Sequence, residues 1–169
     1  MKSTARVGEH PIHPMIIPYP LAFLSGAWGF RLAARSRGSA TLEQTADHLR
    51  TAGLVSAVAA AVPGLIDYFG SVPDGPPKRT ATLHAIANSS ALVCFTAAAA
   101  ASRRGDDTRD VVSRFETVGT ALLCLGGWLG GQLSYHHHVG VIDEYEDRSG
   151  IPGESLTRDE AEALQNVGP

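Results

Sequence analysis

Residues 80–102 read TATLHAIANSSALVCFTAAAAAS, and no Asp, Glu, Lys or Arg interrupts them. A soluble amphipathic helix places charged residues every three or four positions along its outer face. This stretch has none, and its length suits the roughly 20 residues that cross a bilayer as a helix. Residues 14–30, 51–66 and 117–142 share the property. Charged residues are confined to the N-terminal segment, the connections between these runs and the tail after Val141. Whole-chain averages conceal the segregation. The chain has 169 residues, 44% of them hydrophobic, and a mean hydropathy near zero, figures that resemble a soluble domain because charged connections dilute the apolar runs.

The pattern predicts an all-α fold: an antiparallel bundle of four transmembrane helices at about 14–34, 49–69, 79–102 and 111–137, within one domain covering 1–142. Prolines Pro14, Pro18 and Pro20 fall in the first turns of helix 1, where a missing backbone donor does least harm. A polar connection with Gly38 as breaker is expected over 35–50, and a tight turn over 71–78 from Pro73, Asp74, Gly75, Pro76 and Pro77. Pro63-Gly64 should bend helix 2. Gly126, Gly127, Gly130 and Gly131 form two overlapping small-xxx-small pairs that let a neighbouring backbone approach helix 4. Residues 143–169 read as an acidic extramembrane tail, in which Thr157 and Glu160 have capping-box spacing for a short surface helix.

Net charge is −3 with pI about 6.1, which argues against a nucleic-acid partner. The first apolar run lacks a small-residue cleavage site and is expected to remain as a span. Cys94 and Cys124 lie inside expected spans and read as small packing residues. The connections after helices 1 and 3 hold Arg31, Arg35, Arg37, Arg50, Arg103, Arg104, Arg109 and Arg114, against Lys2, Arg6, Lys78 and Arg79 ahead of helices 1 and 3 and Arg148 and Arg158 in the tail. The positive-inside rule puts the arginine-rich connections in the cytoplasm and both termini on the outer face.

That topology gathers the remaining ionisable groups. His10 and His13 precede helix 1, Asp67 lies near the end of helix 2, His84 opens helix 3, and His136, His137 and His138 finish helix 4. All fall at one end of the bundle. Only His48 falls at the other, where it reads as a solvated residue. Asp67 and His84 stand inside apolar runs, where ionisable groups are costly and tend to be paired. An Asp67–His84 hydrogen bond is one reading, and a metal or haem site is the other. Neutral imidazole suits haem iron, copper, zinc and non-haem iron. One candidate ligand set is a bis-histidine haem b held by His84 and His137. The other is a transition-metal centre that also draws on His10, His13 and Asp67. Prolines stiffen His10-Pro11-Ile12-His13-Pro14. As a polyproline helix it separates the two histidines by about 9 Å, whereas a turn or helical start brings them closer. No CxxCH motif, thiolate pair, nucleotide-binding loop or nucleophile elbow is present.

Together these landmarks resemble a bacterial membrane family, domain-of-unknown-function family 2231. Its pattern is His-Pro-x-His-Pro entering helix 1, Gly-x-x-Asp-Tyr near the end of helix 2, a histidine opening helix 3, and a Gly-rich helix 4 ending Tyr-x-His-x-Val-Gly-Val. Here these are His10 to Pro14, Gly64 to Tyr68, His84, and Gly126 to Val141. The likeness extends over about residues 8–142 and aligns the family's helix-4 histidine with His137. His136 and His138 stand where the family usually has arginine and glycine. The resemblance implies a multi-pass protein of the bacterial inner membrane. Some relatives are fused to Rieske-type iron–sulfur domains, which implies membrane redox chemistry by association.

Two functions follow as expectations. One is a membrane redox or electron-transfer protein with its cofactor at the outer end, working with other membrane redox proteins. The other is an accessory or assembly subunit of a larger membrane complex, its polar cluster purely structural. No motif assigns a catalysed reaction. A transporter has less support, because no inverted repeat is visible.

Overall fold

A computed structural model describes residues 3–105 and 108–140 of the chain. The acidic tail at 143–169, including the candidate surface helix at Thr157–Glu160, lies outside the described residues. The order is β1 (Arg6–Val7), β2 (His10–Pro11), α1 (Ile12–Ile16), α2 (Pro18–Arg37), α3 (Ala40–Gly70), α4 (Pro76–Ser102) and α5 (Arg109–Gly131), which runs on into a π-helical turn at Gln132–His136. The two short strands pair antiparallel, Arg6 with Pro11 and Val7 with His10, and the hairpin turns through Gly8 at φ +59°.

The longest difference from the sequence reading is in α3. It starts at Ala40, so the expected polar connection over 35–50 shrinks to Gly38 and Ser39. Gly38 closes α2 in the left-handed region (φ +62°), which suits a residue without Cβ. The Ser39 side chain then caps α3 by accepting from the Leu42 N–H at 3.4 Å. The resulting 31-residue helix is about 46 Å long, longer than the ~30 Å hydrocarbon core of a bilayer. Its first turns carry Glu43, Asp47 and Arg50 beside the neighbouring helices. Pro63 lies inside α3 without ending it.

Packing is chiefly within two antiparallel hairpins, α2 with α3 and α4 with α5, joined by narrower α3–α4 and α2–α5 seams. Leu24, Ala91, Phe95 and Leu123 form the central core, and Ala98, Ala101 and Val112 a second cluster nearer the α4–α5 connection. Small residues set the spacing. A Cβ on Gly53 would fall 2.5 Å from the Leu24 side chain, and one on Gly119 2.8 Å from Phe95. Of the four glycines expected to pack α5, Gly126 and Gly130 face α4, whereas Gly127 has nothing within 4 Å. They act as one stripe, in register with Gly119. Cys94 and Cys124 are both free, and Cys124 is exposed rather than packed.

α3 and α4 are long and apolar enough to cross a membrane, and only 28% of each apolar window is buried inside the molecule. A core helix of a soluble protein would hide most of that surface. Here Val55, Val58, Val62, Leu65, Ile66 and Phe69 stand exposed along α3, and Leu83, Ile86 and Val93 along α4. Such a continuous apolar exterior marks a surface made for a non-aqueous neighbour.

Candidate functional site

The bundle has a polar cluster at each end. At the end where the chain enters, the His-Pro-Ile-His-Pro segment divides its two histidines between elements. His10 ends in the β-hairpin and is exposed, while His13 sits in α1 and is half-buried. His13 donates from Nδ1 to the Ala60 carbonyl of α3 at 2.7 Å. Pro63, lacking an N–H, frees the adjacent Ala59 carbonyl in the same turn. A Cβ on Gly64 would come 2.7 Å from His13 Cε1, so the Pro63-Gly64 pair makes the niche the ring occupies.

His84 is seated in the same way on the opposite hairpin. Its Nδ1 donates to the Gly126 carbonyl at 2.8 Å, and Gly130 leaves room for Cε1 at 3.2 Å from where its own Cβ would be. Asn88, one turn on, donates to the His84 carbonyl at 2.9 Å and holds its amide nitrogen 3.3 Å from Nε2. The His13 and His84 rings meet edge to face with centroids 6.3 Å apart. A carbonyl can only accept, so in each ring Nδ1 is the donor of this bond.

The other expected site residues are placed differently. Asp67 does not pair with His84. It accepts from the Ser3 hydroxyl (2.8 Å), the Thr4 N–H (2.8 Å) and the Ala5 N–H (2.9 Å), with Ser71 at 3.3 Å. The carboxylate thus clasps the N-terminal segment to the end of α3 and leaves Ser3 and Ala5 buried. Gly70 leaves space for Thr4 in that clasp. His137 lies near the Thr80 hydroxyl, its Nε2 at 3.2 Å, one turn before His84 on α4. The wide π turn directs it there; His136 is exposed and His138 takes φ +52° as the chain reverses. His10, His13, Asp67, His84 and His137 therefore share one end of the bundle; of these five only His13 and His84 meet ring to ring, while the His137 ring meets that of its neighbour His136, centroids 4.9 Å apart. Among the described residues no three His, Cys, Asp or Glu side chains converge as a metal-holding group. His48 is exposed at the opposite end.

At that opposite end stands a cluster that sequence reasoning missed. Glu116 of α5 is fully buried, and Arg31 of α2 and Arg50 of α3 are each 3% exposed. Glu116 accepts from Arg31 Nε and Nη2, both at 3.2 Å, and from Arg50 Nη1 at 2.8 Å. Asp47 lies 2.5 Å from Arg31 and 2.8 Å from Arg50. Arg50 Nη2 donates to Ser102 of α4 at 2.8 Å, and Glu43 bridges Arg31 and Arg109 at 3.5 and 3.4 Å. One ionic network thus ties all four long helices. Arg50 Nε alone among its buried polar atoms is unsatisfied. In the sequence these residues sit at the margins of apolar runs, where charges read as ordinary interfacial ones. The signal that was available is Glu116 itself, placed directly before the uncharged run at 117–142.

With this geometry in place, comparison with known proteins adds a family. A family model described as "Predicted membrane protein (DUF2231)" matches residues 9–143. No curated protein and no solved structure matches the chain.

Proposed function

Because the chain belongs to the DUF2231 family of predicted membrane proteins, we propose that it is a four-span protein of the bacterial cytoplasmic membrane that holds a redox cofactor between His13 and His84. α2 and α5 supply the two further spans: each is uncharged beyond its arginine-end turns, and at 20 and 23 residues each is about 30 Å long or more. The arginine-rich end then faces the cytoplasm and both termini face outward.

The observation that carries the cofactor reading is the approach of two imidazoles, 6.3 Å between centroids, each fixed through Nδ1 to a backbone carbonyl. Such a bond fixes the orientation of each ring and leaves Nε2 as the atom that would bind a metal, as it does for histidines that ligate metals. The two Nε2 atoms would be the ligand atoms of a centre held between the rings. Haem b is the first candidate, because it requires only two protein ligands and the described residues bring no third to the pair. Iron, copper or zinc without haem is the second, with solvent completing the shell. Haem bound here would supply one-electron chemistry; the chain's part is to hold the two rings in place.

The test is the optical spectrum of the detergent-purified protein, as isolated and after dithionite, with metal analysis of the same sample. The expected result is a Soret band that shifts on reduction and is lost in both His13→Ala and His84→Ala, while His137→Ala retains it. A featureless spectrum with no bound metal would overturn the cofactor reading. The alternative is then an accessory subunit of a larger membrane complex, favoured by the satisfied hydrogen bonds of Asp67 and of both Nδ1 atoms.

A further inference from the structure

The α2–α5 seam is bridged by Trp28 Nε1 donating to Thr117 Oγ1 at 3.0 Å. Towards the arginine end it opens into a groove of about 460 Å³ whose lining includes Leu32, Arg35, Asp110, Arg114, Thr117 and Val118. Its two sides differ in chemistry. Leu32 and Val118 present apolar surface, 40% and 52% exposed. Arg35 and Arg114 bring two guanidiniums against the single carboxylate of Asp110. Arg35 holds Asp110 at 2.5 Å, whereas Arg114 is exposed and makes no hydrogen bond or ion pair with another described residue. Arg114 also precedes Thr117, the start of the uncharged run, by only three residues, about 4.5 Å of helix rise. The guanidiniums therefore stand one turn beyond the apolar boundary, at headgroup depth for a helix that crosses the bilayer.

We propose that this groove binds an anionic phospholipid, its phosphate between Arg35 and Arg114 and an acyl chain along Leu32 and Val118. The inference rests on α2 and α5 spanning the membrane, as argued above. Guanidinium forks match phosphate oxygens geometrically, and basic pockets between membrane helices select anionic headgroups over zwitterionic ones. Because Asp110 already occupies Arg35, Arg114 carries the larger share of the selectivity.

Trp28 is a reporter built into the seam. With Trp128→Phe as background, the full chain is placed in nanodiscs carrying acyl-brominated phosphatidylglycerol or acyl-brominated phosphatidylcholine over the same series of mole fractions. Phosphatidylglycerol should quench Trp28 at several-fold lower mole fraction. Arg114→Gln should reduce that preference about fivefold, as expected for one arginine near an anionic surface. Arg103→Gln, at the same end of the bundle but outside the groove lining, and millimolar inorganic phosphate should leave it unchanged. Equal quenching by both lipids would overturn the proposal. So would an equal loss in Arg103→Gln, which would mean diffuse surface charge, or displacement by inorganic phosphate, which would mean a site for the free anion. Absence of quenching by either lipid would place α2 outside the bilayer and overturn the four-span arrangement itself.

Discussion

The two ends of the bundle solve the same problem, polar groups next to apolar helices, in opposite ways. At the histidine end two imidazoles are each bonded to one backbone carbonyl and seated on glycine, and the Asp67 carboxylate is held by hydroxyl and backbone N–H donors. At the arginine end the groups are full charges, cross-tied so that the Glu116 carboxylate is shared by two guanidiniums from different helices. A neutral hydrogen bond contributes about 1 kcal/mol. A buried charge stripped of its partner costs about 3–5 kcal/mol. The difference teaches that the arginine end registers the helices against one another, while the histidine end seats single rings, each through one backbone carbonyl.

This contrast can be broken by substitution. The largest effect is expected for Glu116→Ala, which leaves Arg31 and Arg50 buried without their shared carboxylate and should cost about 3–5 kcal/mol. Denaturant unfolding in detergent, set beside His84→Ala, measures it. Equal losses in the two variants would erase the distinction between the ends. Next comes Gly64→Ala, whose methyl would overlap the His13 ring and should cost about 1–3 kcal/mol through overpacking. Gly127→Ala, with open space around it, should be neutral or stabilising by up to about 1 kcal/mol from helix propensity alone. The same unfolding assay applied to both glycines decides whether the histidine seat is built or incidental. The smallest effect is expected for Asp110→Asn, which removes the Arg35–Asp110 pair, 46% and 68% exposed. Its cost should stay below about 1 kcal/mol and shrink further at high salt; a loss matching that of Glu116→Ala would show the ionic network reaching further outward than its burial suggests.

Legibility differed between the ends for a physical reason. His84 and Asp67 stood out because an ionisable residue inside an apolar run is costly wherever its side chain points. Arg31, Arg50 and Glu116 did not, because charges at run margins are ordinary at a membrane interface; only the register of three helices turns them inward. The early start of α3 was missed for a similar reason. Its first turns are polar enough to read as a loop, although Gly38 and Ser39 carry the stop and cap signals. Asp67 was identified as a special residue but given the wrong partner, since residues 3–5 carry no local sign of folding back 60 residues away.

From the sequence alone came the long helices near 14–34, 49–69, 79–102 and 111–137, their antiparallel order, and the gathering of histidines at one end. These depend on run length and chain direction, which are local quantities. The tertiary structure decided that His13 rather than His137 meets His84, that Gly126 and Gly130 rather than Gly127 face α4, and that Asp67 holds the N-terminal segment. Helices that are apolar nearly all round have no preferred buried face in their sequence. Their rotation is set by which small residues admit a neighbour, and that is a property of two surfaces together.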